Sequence, residues 1–248
     1  YAYNGFEPSG RMHIAQALMT AINTNHVTQA GGHMIIYIAD YFAMLNHKMG
    51  GDLKKIKRVG EYFVEIFKAC GMDMANVEFV WSSDFIAQHQ VEYFETLNNI
   101  MQSSTLARLM RTVTIMGRKE GDKLSVSQLL YPCMQATDVF LLGDKKIEVC
   151  QLGVDQRKVN MLARQIAPSL NRKAPIIVSH HMLMGLKGPE VKMSKSDPMG
   201  AIFVEDTREK IHEKIFAAVC PMERNSNPLI EYIRYIIIPA LGSFEFEG

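Results

Sequence analysis

The chain has 248 residues, 48% of them hydrophobic and 21% charged, and its 27 basic and 26 acidic side chains leave a formal charge of +1. That profile suits a globular enzyme with one large core and excludes a fibrous, low-complexity or disulfide-stapled chain. The near-neutral balance shows none of the basic excess that phosphate backbones select, and no apolar run reaches bilayer length, so no membrane partner is expected.

Tyr1 to Phe6 is a short aromatic run, broken by Glu7-Pro8-Ser9-Gly10. The opening Tyr1-Ala2-Tyr3, without an initiator Met, reads as the start of a piece of something longer. From His13 to about Ala30 the apolar positions Ile14, Leu18, Ala21, Ile22 and Val27 recur at helical spacing, and Gly31-Gly32 ends that helix. His33 to Ala39 reads as a strand buried on both faces, Lys54 to Cys70 as an amphipathic helix stopped by Gly71, and Val77 to Trp81 as a further strand. This βαβαβ rhythm predicts a parallel sheet wrapped by helices.

Between about Phe85 and Gln135 the pattern is helical throughout, which predicts an insertion rising from the sheet. The alternation resumes with a strand near Ile147 to Cys150, a helix from Asp155 to Ile166 and a strand at Pro175 to Ser179. A long polar segment, Lys187 to Gly200, precedes helices starting near Thr207 and Pro228. The expected fold class is α/β: a Rossmann-like, doubly wound parallel sheet with a helical insertion and C-terminal helices. Cys70, Cys133, Cys150 and Cys220 lie far apart, with no CxxC pair and no His at zinc spacing. Reduced thiols, a cytoplasmic location and no protein-held metal are therefore expected.

Two segments stand out chemically. In Gly5 to Gln16 a strand, a tight turn and a helix start follow one another, with Gly10 closing the turn and His13 at the helix N-terminus. Unpaired amides and the positive end of the helix dipole favour anionic groups there. A plain turn with a capping histidine would use the same residues. In Val191-Lys192-Met193-Ser194-Lys195-Ser196-Asp197, two lysines flank small polar residues, either as a solvated basic loop or as a loop that closes over a polyphosphate. Tyr131, Gln135 and Asp138 fall at i, i+4 and i+7 on one helical face. Asp138 sits between Thr137 and the apolar run Val139 to Leu142, a poor fit to a solvated face and a better one to convergent polar groups in an apolar pocket.

Taken together, His13-Ile14-Ala15-Gln16 and Lys192-Met193-Ser194-Lys195-Ser196 resemble the HIGH and KMSKS signatures of class I aminoacyl-tRNA synthetases, the second as an unaltered copy. Gly5 to Gln16, Tyr131-Pro132-Cys133-Met134-Gln135 with Asp138, and Gly153-Val154-Asp155-Gln156-Arg157-Lys158 resemble the tyrosyl-tRNA synthetase family in its archaeal and eukaryotic form. The first motif departs from the pattern, with Ala15 for Gly and Gln16 for the second His; Gln16 donates a hydrogen bond but carries no charge.

The resemblance implies an enzyme that activates L-tyrosine with ATP and passes it to tRNA(Tyr). It implies that His13 meets the ATP phosphates, with Gly10 and Ala15 keeping side chains clear of the nucleotide and Gln16 adding a contact. Lys192 and Lys195 would stabilise departing pyrophosphate, backbone at Met193 would line the adenine, and Asp155 would hold the ribose. Tyr131, Gln135 and Gln156 would orient the α-ammonium and carboxylate of the amino acid, and Tyr3 and Asp138 would bond its phenol. Mg²⁺ would arrive with ATP. The resemblance also implies a catalytic domain over 1–205, with its insertion at about 85–135, and a helical segment over 206–248 leading toward an anticodon-binding domain. A homodimer or a fused pseudo-dimer would be the assembly, and Arg108, Arg111, Arg118 and Lys119 are candidates for the acceptor stem. Three alternatives stay open: a tryptophanyl-tRNA synthetase, a small-molecule adenylyltransferase of the wider HIGH superfamily, and a catalytically silent synthetase-like module.

Overall fold

A computed structural model describes every residue except Glu120, Lys146, Ser194 to Ser196 and Phe246 to Gly248, with the side chains of Asp144, Lys145 and Glu190 to Lys192 also left out. The described chain divides into two compact units: unit 1 holds 1–9, 31–60 and 76–181, and unit 2 holds 10–30, 61–75 and 182–248.

Unit 1 is built on the parallel sheet. Strand β1 (Ala2–Phe6) is followed in the chain by helix α1 (Ile14–Gln29), strand β2 (Met34–Ile38), helices α2 (Asp40–Leu45) and α3 (Leu53–Ala69), and strand β3 (Val77–Trp81). Helices α4 (Ser82–Gln88), α5 (Gln90–Gln102), α6 (Leu106–Thr112) and α7 (Val126–Lys145) come next. The order then alternates through β4 (Val149–Gly153), α8 (Arg157–Ile166) and β5 (Ile176–His180). All five strands pair in parallel in the order β3-β2-β1-β4-β5, with Tyr3 opposite both Ile35 and Cys150. Strand β2 is buried at all five positions, as its unbroken apolar run requires. The winding reverses between β1 and β4, and in such open sheets ligands bind beyond the carboxyl ends of the strands at that reversal. Glu7 follows β1 at this edge, and Asp155 and Gln156 follow β4.

The expected insertion is present as helices, and its last helix runs on through Lys145, so Tyr131, Gln135 and Asp138 share one 20-residue helix with the apolar run behind them. Pro132 inside α7 lacks the N–H that would bond the Gln128 carbonyl. The core of unit 1 joins Tyr3, Ile35 and Tyr37 of the sheet to Tyr93, Tyr131, Ala136 and Phe140 of these helices.

Unit 2 contains α1, the two-stranded antiparallel sheet of β6 (Met184–Gly185) and β7 (Gly188–Lys192), and helices α9 (Arg208–Phe216), α10 (Pro228–Tyr232) and α11 (Ile238–Leu241), with a π turn at Ile233–Ile237. Sequence reading made 187–200 one polar segment; the hairpin lies partly inside it, because a two-residue and a five-residue strand are too short to show alternation. Thr207 caps α9 through Lys210 N–H at 3.4 Å, and Asn227 caps α10 through Leu229 N–H at 3.0 Å. Met19, Leu183, Leu186, Met193, Phe203 and Tyr232 form its core.

Candidate active site

In unit 1 the buried face of α7 meets the carboxyl edge of the sheet around one carboxylate. Asp138 is 1% exposed, and its Oδ1 accepts hydrogen bonds from the hydroxyls of Tyr37 and Tyr93, each at 3.0 Å. Its Oδ2 is buried with no hydrogen-bond partner, and so is the hydroxyl of Tyr3. Burial pushes the Asp138 carboxyl well above the usual carboxylate range, against the pull of the two tyrosine hydroxyls. Burial likewise raises the Tyr3 phenol, Cys150 and Asp138 add to this, and the side-chain amide of Gln135 works against it. Unsatisfied buried polar atoms are uncommon and costly. An orphaned acceptor and an orphaned hydroxyl fit a ligand hydroxyl that donates to Asp138 and accepts from Tyr3.

Toward the start of α7 the donors and acceptors differ. Tyr131 hydroxyl donates to Glu7 Oε1 at 2.7 Å, and Asn46 Nδ2 donates to both Glu7 oxygens at 3.1 and 3.2 Å. Lys48 Nζ stands 3.9 Å from Glu7, and Arg118 donates to Asn46 Oδ1 at 3.2 Å. Gln135 Nε2 donates to Gln156 Oε1 at 3.2 Å, Gln156 Nε2 donates to the Ile115 carbonyl at 2.9 Å, and Gln135 Oε1 is buried without a partner. Asp155 is half-buried beside Gln156, whose amide donates to it at 3.3 Å. Burial lowers the pKa of His180 at the end of β5, and Asp155 partly offsets this. Glu7 is taken up by Tyr131, Asn46 and Lys48, so the open acceptor at this end is Gln135 Oε1, which suits a donor such as an ammonium group. From Gln135 to Asp138 the helix rises about 4.5 Å, and from Tyr131 about 10 Å. A para-hydroxyphenyl side chain with an ammonium at its other end spans such a distance.

A cavity of about 350 Å³ in unit 1 lies elsewhere, lined by Tyr1, Ile147, Glu148, Arg172 and Lys173 among others, at the amino ends of the strands. Its charges are paired, Glu148 with Lys173 at 3.7 Å and Arg172 with Glu92 at 3.8 Å. It offers no convergent polar site.

Unit 2 carries the other candidate residues. Gly10 has φ +117° with open space where a Cβ would stand, so backbone conformation rather than crowding calls for glycine. His13 precedes α1 in extended conformation without capping the helix through its side chain. Ala15 packs against the core of this unit, and Gln16 Oε1 is buried without a partner. Met193 is itself 8% exposed and part of that core. Ser194, Lys195 and Ser196 lie outside the described residues, as does the side chain of Lys192. Among the described residues no group of three His, Cys, Asp or Glu side chains could hold a metal ion. No described helix is long and apolar enough to cross a membrane.

Residues 1–246 match the family of class I tRNA synthetases for tryptophan and tyrosine. The chain is 54% identical to cytoplasmic tyrosine–tRNA ligase 1 of Arabidopsis thaliana over 99% of its own length and 63% of that protein's. It is 41% identical to the tyrosine–tRNA ligase of Picrophilus torridus, over 96% of this chain and 72% of the relative. The chain belongs to the tyrosyl branch of the class I tRNA synthetases. Among solved structures, Leishmania major tyrosyl-tRNA synthetase in complex with tyrosinol superposes with a TM-score of 0.92 at 46% identity, over 98% of this chain and 38% of that one. Tyrosyl-tRNA synthetase from Pyrococcus horikoshii, complexed with L-tyrosine, gives 0.88 at 32% identity, over 98% and 72%. A tryptophanyl-tRNA synthetase from Giardia lamblia, at 18% identity and a TM-score of 0.79, shares the fold.

Of the site residues expected from the sequence, Tyr3, Tyr131, Gln135, Asp138, Asp155 and Gln156 lie in unit 1 and Gly10, His13, Ala15, Gln16 and Met193 in unit 2. Sequence reasoning passed over Glu7, Tyr37 and Tyr93. Tyr37 had one usable signal: a hydroxyl in an otherwise apolar, fully buried strand has to find a partner. Of the acceptor-stem candidates, Arg108 bonds Gln165, Arg118 bonds Asn46, the Arg111 carbonyl accepts from Lys158 at 2.9 Å, and Lys119 N–H donates to Asp122 at 2.9 Å.

Proposed function

We propose that the chain carries the catalytic portion of a tyrosine–tRNA ligase, which activates L-tyrosine with ATP and transfers it to tRNA(Tyr). The observation that carries this reading is the pair of orphaned polar atoms, Tyr3 hydroxyl and Asp138 Oδ2, buried beside the open acceptor of Gln135. The tyrosine carboxylate attacks the α-phosphate of MgATP in line, giving tyrosyl-adenylate and pyrophosphate. The terminal ribose hydroxyl of tRNA then attacks the mixed anhydride and releases AMP. The substrate supplies its own nucleophile, so the residues act by positioning and by stabilising phosphate charge.

In this reading Tyr3 and Asp138 hold the phenol, and Tyr131, Gln135 and Gln156 hold the ammonium and carboxylate. Asp155 holds the ribose. His13, with Gly10, Ala15 and Gln16, receives the phosphates, Met193 backbone lines the adenine, and Lys192 and Lys195 follow charge onto pyrophosphate. Mg²⁺ is carried in by ATP. Residues 1–205 serve as the catalytic domain and 206–248 lead toward an anticodon-binding portion, in a homodimer or fused pseudo-dimer. A cytoplasmic location fits the name of the Arabidopsis relative. Pyrophosphate exchange with tyrosine, phenylalanine and tryptophan tests the proposal: exchange dependent on tyrosine alone is expected, and exchange driven by tryptophan, or by none of the three, overturns it.

A further inference from the structure

Unit 2 holds a buried charge cluster that the site residues above do not include. Residues 202–204 run antiparallel to 12–14: Ile14 N–H donates to the Ile202 carbonyl and Val204 N–H to the Met12 carbonyl, both at 3.0 Å, with His13 opposite Phe203. Helix N-termini leave their first amides unpaired. Here a neighbouring segment takes the amide of the first residue of α1. That segment follows the Lys192 to Ser196 motif closely in sequence.

The brace is held by charge. Asp206, its side chain 1% exposed, accepts from Phe203 N–H at 2.8 Å, from Arg11 Nη2 at 3.2 Å and from the Lys214 ammonium. Lys214 has a fully buried side chain and also donates to the Ala201 carbonyl at 2.8 Å. Arg11 bonds Glu205 at 2.6 Å and lies 3.9 Å from the Phe203 ring centroid, and Lys214 Nζ lies 5.0 Å from the same centroid. Tyr62 hydroxyl donates to Glu205 at 3.2 Å. Lysine is almost never fully buried unless paired. A buried ion pair adds little net stability over apolar side chains of the same volume. Its directional bonds do fix which backbone group meets which.

We propose that Asp206 and Lys214, together with Arg11, are positioning residues for the nucleotide: they set the register of 201–206 against 11–14 and so hold His13 and the first turn of α1 in place to receive the triphosphate. This rests on the synthetase reading above. The clamp acts through backbone, so its loss leaves tyrosine recognition alone and weakens use of ATP.

The test uses Lys214→Met with Asp206→Leu, which removes both charges and leaves neither buried alone, and separately Arg11→Met, whose side chain is 44% exposed and whose loss the fold tolerates more readily. Pyrophosphate exchange is measured with ATP and tyrosine titrated in turn, beside thermal unfolding and hydrogen exchange of residues 12–17 with and without ATP. The double variant should fold, melting below the wild type because Phe203 N–H and the Ala201 carbonyl lose their partners, and should keep its KM for tyrosine. Its kcat/KM for ATP should fall about thirtyfold or more, the scale of a small misplacement of a reacting group. The ATP-dependent protection of 12–17 expected in the wild type should be lost. Arg11→Met should lose kcat/KM for ATP in the same direction, and it decides the matter if the double variant does not fold. A folded variant with wild-type kcat/KM for ATP and wild-type protection overturns the clamp. A wild type with neither tyrosine-dependent exchange nor ATP-dependent protection overturns the synthetase reading instead.

Discussion

Asp138 in unit 1 and Asp206 in unit 2 both have carboxylates withdrawn from solvent, yet they sit in opposite states. Asp206 has both oxygens occupied, by Lys214 and Phe203 N–H on one and Arg11 on the other. Burial alone would raise its pKa, but these partners hold it below the ordinary carboxylate value. Asp138 has only neutral donors, both on Oδ1, and burial takes it upward. A third case, Asp40, is also fully buried; it accepts from Ser82 and Ser83 hydroxyls at 2.6 Å and stands 3.9 Å from Lys57. Burial by itself does not mark a functional carboxylate. Of the three, Asp138 alone keeps a buried oxygen without a partner, the opening that the proposed tyrosine phenol would fill.

The largest effect should come from breaking the incomplete shell. Asp138→Ala is expected to lower tyrosine-dependent pyrophosphate exchange about a hundredfold or more, since it strands the Tyr37 hydroxyl as well as the ligand's, while Tyr93 keeps the Met134 carbonyl at 3.3 Å. It should also narrow the gap between tyrosine and phenylalanine; an undiminished gap would show that the open oxygen reads nothing. Tyr3→Phe removes the other orphan and should cost about tenfold with tyrosine, leaving the much slower phenylalanine rate unchanged. Equal losses with both amino acids would instead assign Tyr3 to packing.

The comparison sharpens with pH. A carboxyl depressed in the folded state adds stability above its unfolded pKa and loses it as pH falls through the folded value. Asp206→Asn should therefore flatten the acid side of a stability curve, below about pH 4. A raised carboxyl does the reverse, so stability falls as pH climbs from the ordinary carboxylate value toward the raised one. Asp138→Asn should flatten that descent, and unfolding titrations from pH 3 to 8, on the order of one scan per half unit, would show the two slopes with opposite signs. Smallest is Gln16→Ala, which touches neither carboxylate and should leave the tyrosine-to-phenylalanine ratio unchanged. A shift in that ratio would break the proposed assignment of Gln16 to the phosphates.

What the sequence made legible follows from range. The strands at 34–38 and 77–81 show as apolar runs, and the face shared by Tyr131, Gln135 and Asp138 shows as helical spacing, because both are local patterns. The partners of those residues come from far along the chain: Glu7 reaches Tyr131 across 124 positions and Tyr37 reaches Asp138 across 101, and no periodicity encodes such pairs. Lys214 illustrates a different loss. A lysine on a polar-looking helix reads as solvated, and only the fold reveals that Asp206 waits beneath it.

One further consequence concerns what can be seen by light. Trp81 is the sole tryptophan, and its ring packs on α3 so closely that a Cβ at Gly60 would stand 2.4 Å from it. Lys57 Nζ lies 5.9 Å from the same ring. Both neighbours belong to unit 1, so intrinsic emission is a private reporter of the sheet's β3 corner. Far-ultraviolet dichroism sums the helices of both units. An emission midpoint that departs from the dichroism midpoint would expose two melting steps without any label added, and Gly60→Ala, by displacing the indole, would shift the colour of the unit 1 step alone.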